Sequence, residues 1–160
     1  MSDENNKRMV PRGTAADGDD WPAALAYWRT LPAEDFDGER RGEISRCVRR
    51  ISSTIEDWRL AIRGDAAAAV KLALRIHKPR EITARLDLAM TVLLNGAFDN
   101  PAAALVLARK LNVMPLDRSQ RARLATSWLV HNVWLASRRQ HSSARRSVDF
   151  RAPRGKGGKP

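Results

Sequence analysis

Ile44, Val48, Ile51, Ile55, Trp58 and Ile62 follow one another at intervals of 4, 3, 4, 3 and 4 residues. That rhythm holds all six side chains on one face of an α-helix. It does not suit a strand, whose side chains alternate with a period of two. The spacing predicts a continuous helix over residues 38–63, the clearest in the chain, with Gly64 as its left-handed stop.

Similar punctuation recurs on both sides. Asp20 can cap a short helix through "WPAALAYWRT", stopped by Pro32, and Asp65 can cap "AAAAVKLALRI". Pro79 suits the first turn of a helix through "REITARLDLAMTVLLN", closed by Gly96. Asn100 caps and Pro101 opens a fifth helix, with Asn112 past its end. Asp117 with Gln120 forms a capping box for a sixth that reaches about Arg138. Between Leu124 and Leu135 this sixth helix is apolar on nearly every side, which predicts a central, buried position.

The expected class is all-α, with about six helices in residues 20–138. Two arrangements fit: a helical bundle, or three stacked helical hairpins over 22–63, 65–95 and 100–137. The second rests on an internal echo. "AAAVKLALRI" (67–76) aligns with "AAALVLARKL" (102–111) at an offset of 35. That is the period of αα repeats such as the tetratricopeptide family, whose Gly and Tyr pattern is missing here. Residues 1–19 are polar and non-periodic and read as disordered, as do residues 139–160.

A chain of 160 residues with 43% hydrophobic content can build one core. Its 24 alanines favour helix. No run of 18 apolar residues is present, so no membrane span is expected. The N-terminal stretch "MSDENNKRMV" has no apolar signal core, and Cys47 is the single cysteine. A reducing cytoplasm without disulfides is the matching expectation.

The net charge is +11 and unevenly placed: −2 over residues 1–20, +6 over 21–137 and +7 over 138–160. Arginine outnumbers lysine 23 to 6. A GC-rich coding sequence would raise Arg and Ala together. It would not gather charge at one end. Arginine is also the better fork for phosphate.

Little in the sequence points to catalysis or to a cofactor. His77, His131 and His141 share no metal-ligand spacing, and Cys47 has no second thiol, so no zinc site is expected. His131 sits on the stripe Leu124–Trp128–His131–Leu135 and reads as a hydrogen-bonded core histidine. Cys47, beside Arg46, Arg49 and Arg50, reads as a buried inert thiol. Glu34, Asp35, Asp37, Glu39 and Glu43 lie around a helix start, where acids favour the dipole. "GKGGK" (155–159) follows no strand and opens no helix, so it fails as a phosphate loop.

Binding remains. The expected function is a non-enzymatic, nucleic-acid-associated protein, a small DNA-binding regulator or accessory factor. Its C-terminal basic tail would grip phosphates through Arg138, Arg139, Arg145, Arg146, Arg151, Arg154, Lys156 and Lys159. Residues 100–130 resemble a helix-turn-helix in part. Ala108, Asn112 and Val113 suit the first helix and turn, and Arg118, Arg121 and Arg123 fall where a recognition helix meets DNA. The second half departs from the motif: Arg118 and Arg121 stand where apolar residues belong. The alternative is a helical protein–protein adaptor, with an acidic protein partner or a homodimer through the seam of the 38–63 helix. No membrane association is expected.

Overall fold

A computed structural model describes the backbone of residues 10–11, 23–53 and 55–149, and the side chains of 23–51, 53 and 55–142. The protein is all-α. A 3-10 turn, Ala23–Ala26, leads into α1 (Tyr27–Thr30), and a second, Ala33–Asp35, precedes α2 (Gly38–Val48). Then come α3 (Glu56–Ile62), α4 (Ala66–Leu74), α5 (Ala84–Ala97), α6 (Pro101–Leu111) and α7 (Arg118–Asp149). Val10–Pro11 (β1) and Ile51–Ser52 (β2) form a two-residue antiparallel ladder, Val10 opposite Ser52. Asp20, most of residues 1–19, and 150–160 lie outside the described residues.

The expected 38–63 helix is two helices. It breaks over residues 49–55, where "RRISSTI" places β-branched and hydroxyl side chains in succession. Ile and Thr lose rotamer freedom in a helix, and serine hydroxyls compete for the backbone. Ser53 Oγ accepts from the Ile55 amide at 3.2 Å, closing a local turn in place of helix. The stripe still faces inward. Ile44, Val48, Trp58 and Ile62 are buried in the chain's own core, and Ile51 and Ile55 pack against it. No seam is left for the homodimer expected there.

Local punctuation holds at several helix ends. Asp65 accepts from the Ala68 amide at 2.8 Å, and Asn100 accepts from Ala102 and Ala103. Gly64 has φ +99°, the left-handed stop. Asp117 caps α7 through the amides of Ser119 and Gln120, but Gln120 does not close the box. Its Nε2 donates instead to the Arg29 carbonyl at 2.6 Å. α5 begins at Ala84 rather than beside Pro79, because Thr83 Oγ1 caps the Leu86 amide. The coil before it is tied down by Lys110, whose ammonium donates to the Ile76 carbonyl. Gly96 does not close α5. It lies inside the helix, where a Cβ would stand 3.2 Å from Ala66 Cβ. Its role is the close approach of α4.

The central helix is α5, in which every residue from Leu86 to Ala97 is buried. It is surrounded by α1, α2, α3, α4 and α6, whereas α7 is flanked mainly by α6 and the Ala33–Asp35 turn. The expected burial of Leu124–Leu135 therefore fails on one side. Leu124, Ala125, Trp128 and Leu135 are buried, while Leu129, Val130, Val133 and Trp134 open to solvent. α7 also continues past Arg138 to Asp149. Lost apolar periodicity removes packing but not helicity. Arg, Gln and Ala are good helix formers, and no Gly or Pro interrupts before Pro153.

Candidate functional site

Among the described side chains, the expected nucleic-acid-binding arginines do not gather at one place. Arg118 and Arg123, on the first turns of α7, are exposed. Arg121 is half-buried and donates from Nη1 to the Met114 carbonyl at 3.4 Å, so it closes the α6–α7 turn. One flank of this helix start is covered. Ser127 Oγ accepts from the Ala33 amide at 2.6 Å and donates to Glu34, and Gln120 holds Arg29. The Ser127 hydrogen bond keeps the Glu34 carboxyl below its ordinary range. Arg138 lies 4.6 Å over the Trp134 ring, and Arg139 donates to the Asp99 carbonyl at 3.4 Å. Arg145 and Arg146 are on the α7 backbone, and their side chains are not described. Arg151, Arg154, Lys156 and Lys159 lie outside the described residues.

A different set of arginines does converge. Residues 46–85 carry ten Arg and Lys against four Asp and Glu, a net +6. Residues 21–45 sum to −2 and 86–137 to +2, so the positive excess over 21–137 comes from that one stretch. It forms the end of α2, the 49–55 break, α3, α4 and the coil before α5. Two concavities open there on either side of α3. The first, about 530 Å³, is lined by Arg49, Ile51, Ser53, Arg59, Ile62 and Arg63. It exists because the helix breaks at residues 49–55, which swings Arg49 toward the α3 arginines.

The second concavity, about 470 Å³, has Trp58, Leu72 and Leu86 among its apolar residues and Arg75, Arg80 and Arg85 among its polar ones, with Glu81 as its one acid. Several cations here are compensated. Asp57 accepts from Lys71 at 2.9 Å and pairs with Arg75 at 2.7 Å, and Glu56 pairs with Arg59. The Lys71 hydrogen bond, aided by Arg75, holds the Asp57 carboxyl below its usual range. Arg49, Arg63, Arg80 and Arg85 have no ion pair among the described residues. Unpaired guanidinium groups around a concave surface can take bidentate hydrogen bonds from phosphate oxygens. None of these residues stood out in the sequence as a binding residue. The local density of +6 in forty residues was the signal that marked them.

Neither His131 nor Cys47 is fully buried. His131 donates from Nε2 to the Phe98 carbonyl at 3.1 Å, packs edge-on to Trp128 and stacks on Trp134. Cys47 is half-buried, and burial pushes its thiol up despite Arg50. Among the described residues no three His, Cys, Asp or Glu side chains gather as a metal site, and no helix is long and apolar enough to cross a membrane. No protein family, curated protein or solved structure matches this chain.

Proposed function

We propose that this is a non-enzymatic, nucleic-acid-associated protein of a reducing cytoplasm, which holds a phosphate backbone on its 46–85 face. The observation that carries this reading is that, within residues 21–137, the positive excess lies in the 46–85 stretch, where Arg49, Arg59 and Arg63 line one concavity and Arg75, Arg80 and Arg85 the next. Contacts to phosphate position a protein on DNA without selecting sequence. Arg145, Arg146, Arg151, Arg154, Lys156 and Lys159 add to the same term by counterion release. Readout by the start of α7 is not part of the proposal, because Arg121 is engaged at Met114 and the Gln120–Ser127 flank is covered.

Fluorescence anisotropy with a random-sequence duplex tests it. The Arg49→Ala/Arg59→Ala/Arg63→Ala triple should weaken binding strongly, and Arg118→Ala/Arg123→Ala only slightly. Dependence on the second pair alone would return the interface to α7. Indifference to both sets would remove the 46–85 face from the interface, and no binding by the parent would end the nucleic-acid reading.

A further inference from the structure

α7 presents a second surface that the nucleic-acid reading leaves unused. Leu129, Val130, Val133 and Trp134 are exposed by 47%, 64%, 58% and 50%. They are four of the five large exposed hydrophobics among the described residues, the fifth being Leu74. Their spacing of one, three and one residues places them on one helical face, opposite the buried Leu124, Trp128 and Leu135. A contiguous apolar patch on a folded surface marks a contact site, whereas scattered apolar residues need no explanation.

Trp134 is already held in place. Its ring stacks on His131 with centroids 5.6 Å apart, and the Arg138 guanidinium covers it at 4.6 Å. An aromatic anchor fixed before binding loses little freedom on contact, and Trp and Arg dominate interface energetics.

Charge says what the patch meets. From Arg118 to Val148 the helix contains no Asp or Glu. Arg123 falls on the same helical row as Val130 and Trp134, and Arg138 continues it at the other end. The two arginines bracket the apolar residues about 22 Å apart, at ~1.5 Å rise per residue. A second copy of this face is a poor match. Parallel pairing sets Arg123 on Arg123, and antiparallel pairing sets Arg123 on Arg138, with no acid between residues 118 and 148 of either helix to relieve the repulsion.

We infer that the outer face of α7 docks an acidic amphipathic helix from a protein partner. Its apolar residues, spaced three or four apart, lie over Leu129, Val130, Val133 and Trp134, and its carboxylates meet Arg123 and Arg138. This surface is independent of the 46–85 arginines.

The test is selection of displayed random helical peptides on the full-length protein, followed by binding of the selected peptide made synthetically. Enriched sequences should pair helical apolar spacing with Asp or Glu at both ends. Val130→Glu/Val133→Glu, with unchanged circular dichroism and thermal unfolding, should lose about tenfold or more in affinity. Arg123→Glu/Arg138→Glu should recover binding to the same peptide with its acids changed to lysine. Peptides enriched without acids, affinity indifferent to Val130→Glu/Val133→Glu, or no charge-swap recovery would overturn the inference. So would a parent dimer in sedimentation that Val133→Glu dissociates. Co-sedimentation with phosphatidylserine vesicles that Val133→Glu abolishes would overturn it too, in favour of a lipid surface.

Discussion

Trp28 on α1 donates its indole N–H to the buried Asp87 carboxylate on α5 at 2.8 Å, a contact between residues 59 positions apart. Arg29 approaches the same oxygen at 3.4 Å. Trp128 is equally buried, but its N–H has no partner among the described residues. Replacing either tryptophan by Phe removes the same volume, so the cavity losses are comparable. Trp28→Phe also strips a donor from a buried carboxylate. It should therefore cost about 1–3 kcal/mol more than Trp128→Phe in urea unfolding. Equal losses would mean that the Trp28–Asp87 bond adds no net stability.

Gly96 sets the distance between α4 and α5. In a free helix, alanine there would gain about 1 kcal/mol in propensity. Here the new Cβ would stand 3.2 Å from Ala66 Cβ and 3.3 Å from its Cα. Because the second neighbour is backbone, Gly96→Ala should destabilise by about 1–3 kcal/mol, as overpacking does. Ala66→Gly in the same chain should recover part of that loss. A stabilised Gly96→Ala would show that the two helices separate freely.

Asp57 joins α3 to Lys71 and Arg75 of the next helix and its end. Its folded carboxyl is depressed, chiefly by the Lys71 hydrogen bond. The unfolded state therefore binds the proton more readily. The stabilisation is complete above the unfolded carboxylate value of about 4 and is lost as pH falls through the lower folded value. Asp57→Asn should lower the midpoint of thermal unfolding at neutral pH and bring no deficit at the acid end. A deficit that is the same at every pH would assign the loss to something other than ionisation.

If Arg49, Arg59 and Arg63 each neutralise one phosphate, the triple alanine variant should reduce the log–log salt slope of DNA binding by about 2–3 units, at ~0.9 per contact. Ending the chain at Asp149 removes Arg151, Arg154, Lys156 and Lys159 and leaves α7 whole. That truncation should reduce the slope by about 2 or more. The two losses should add. A slope unchanged by the arginine triple would place every phosphate contact elsewhere on the chain.

The all-α class and several helix ends were legible in the sequence because their causes are local. Asp65, Asn100 and Asp117 act on amides within three residues, and Gly64 on its own φ angle. Apolar spacing likewise told which side of α2 and α3 faces inward. It did not tell that residues 49–55 interrupt the helix, because a stripe records orientation and is indifferent to a break that preserves it. It also did not tell which helix is central. α5 and α7 are both rich in apolar residues, and only the packing of five helices around α5 leaves Val130 and Trp134 uncovered. The candidate interface depends on the same level of structure. Charge density over residues 46–85 was countable from the chain, but Arg49 comes to share a concavity with Arg59 and Arg63 only through the turn at Ser53, and Gly96 is a packing residue only because Ala66 arrives from another helix. Contacts between residues tens of positions apart are made by packing, and no local pattern encodes which pairs will meet.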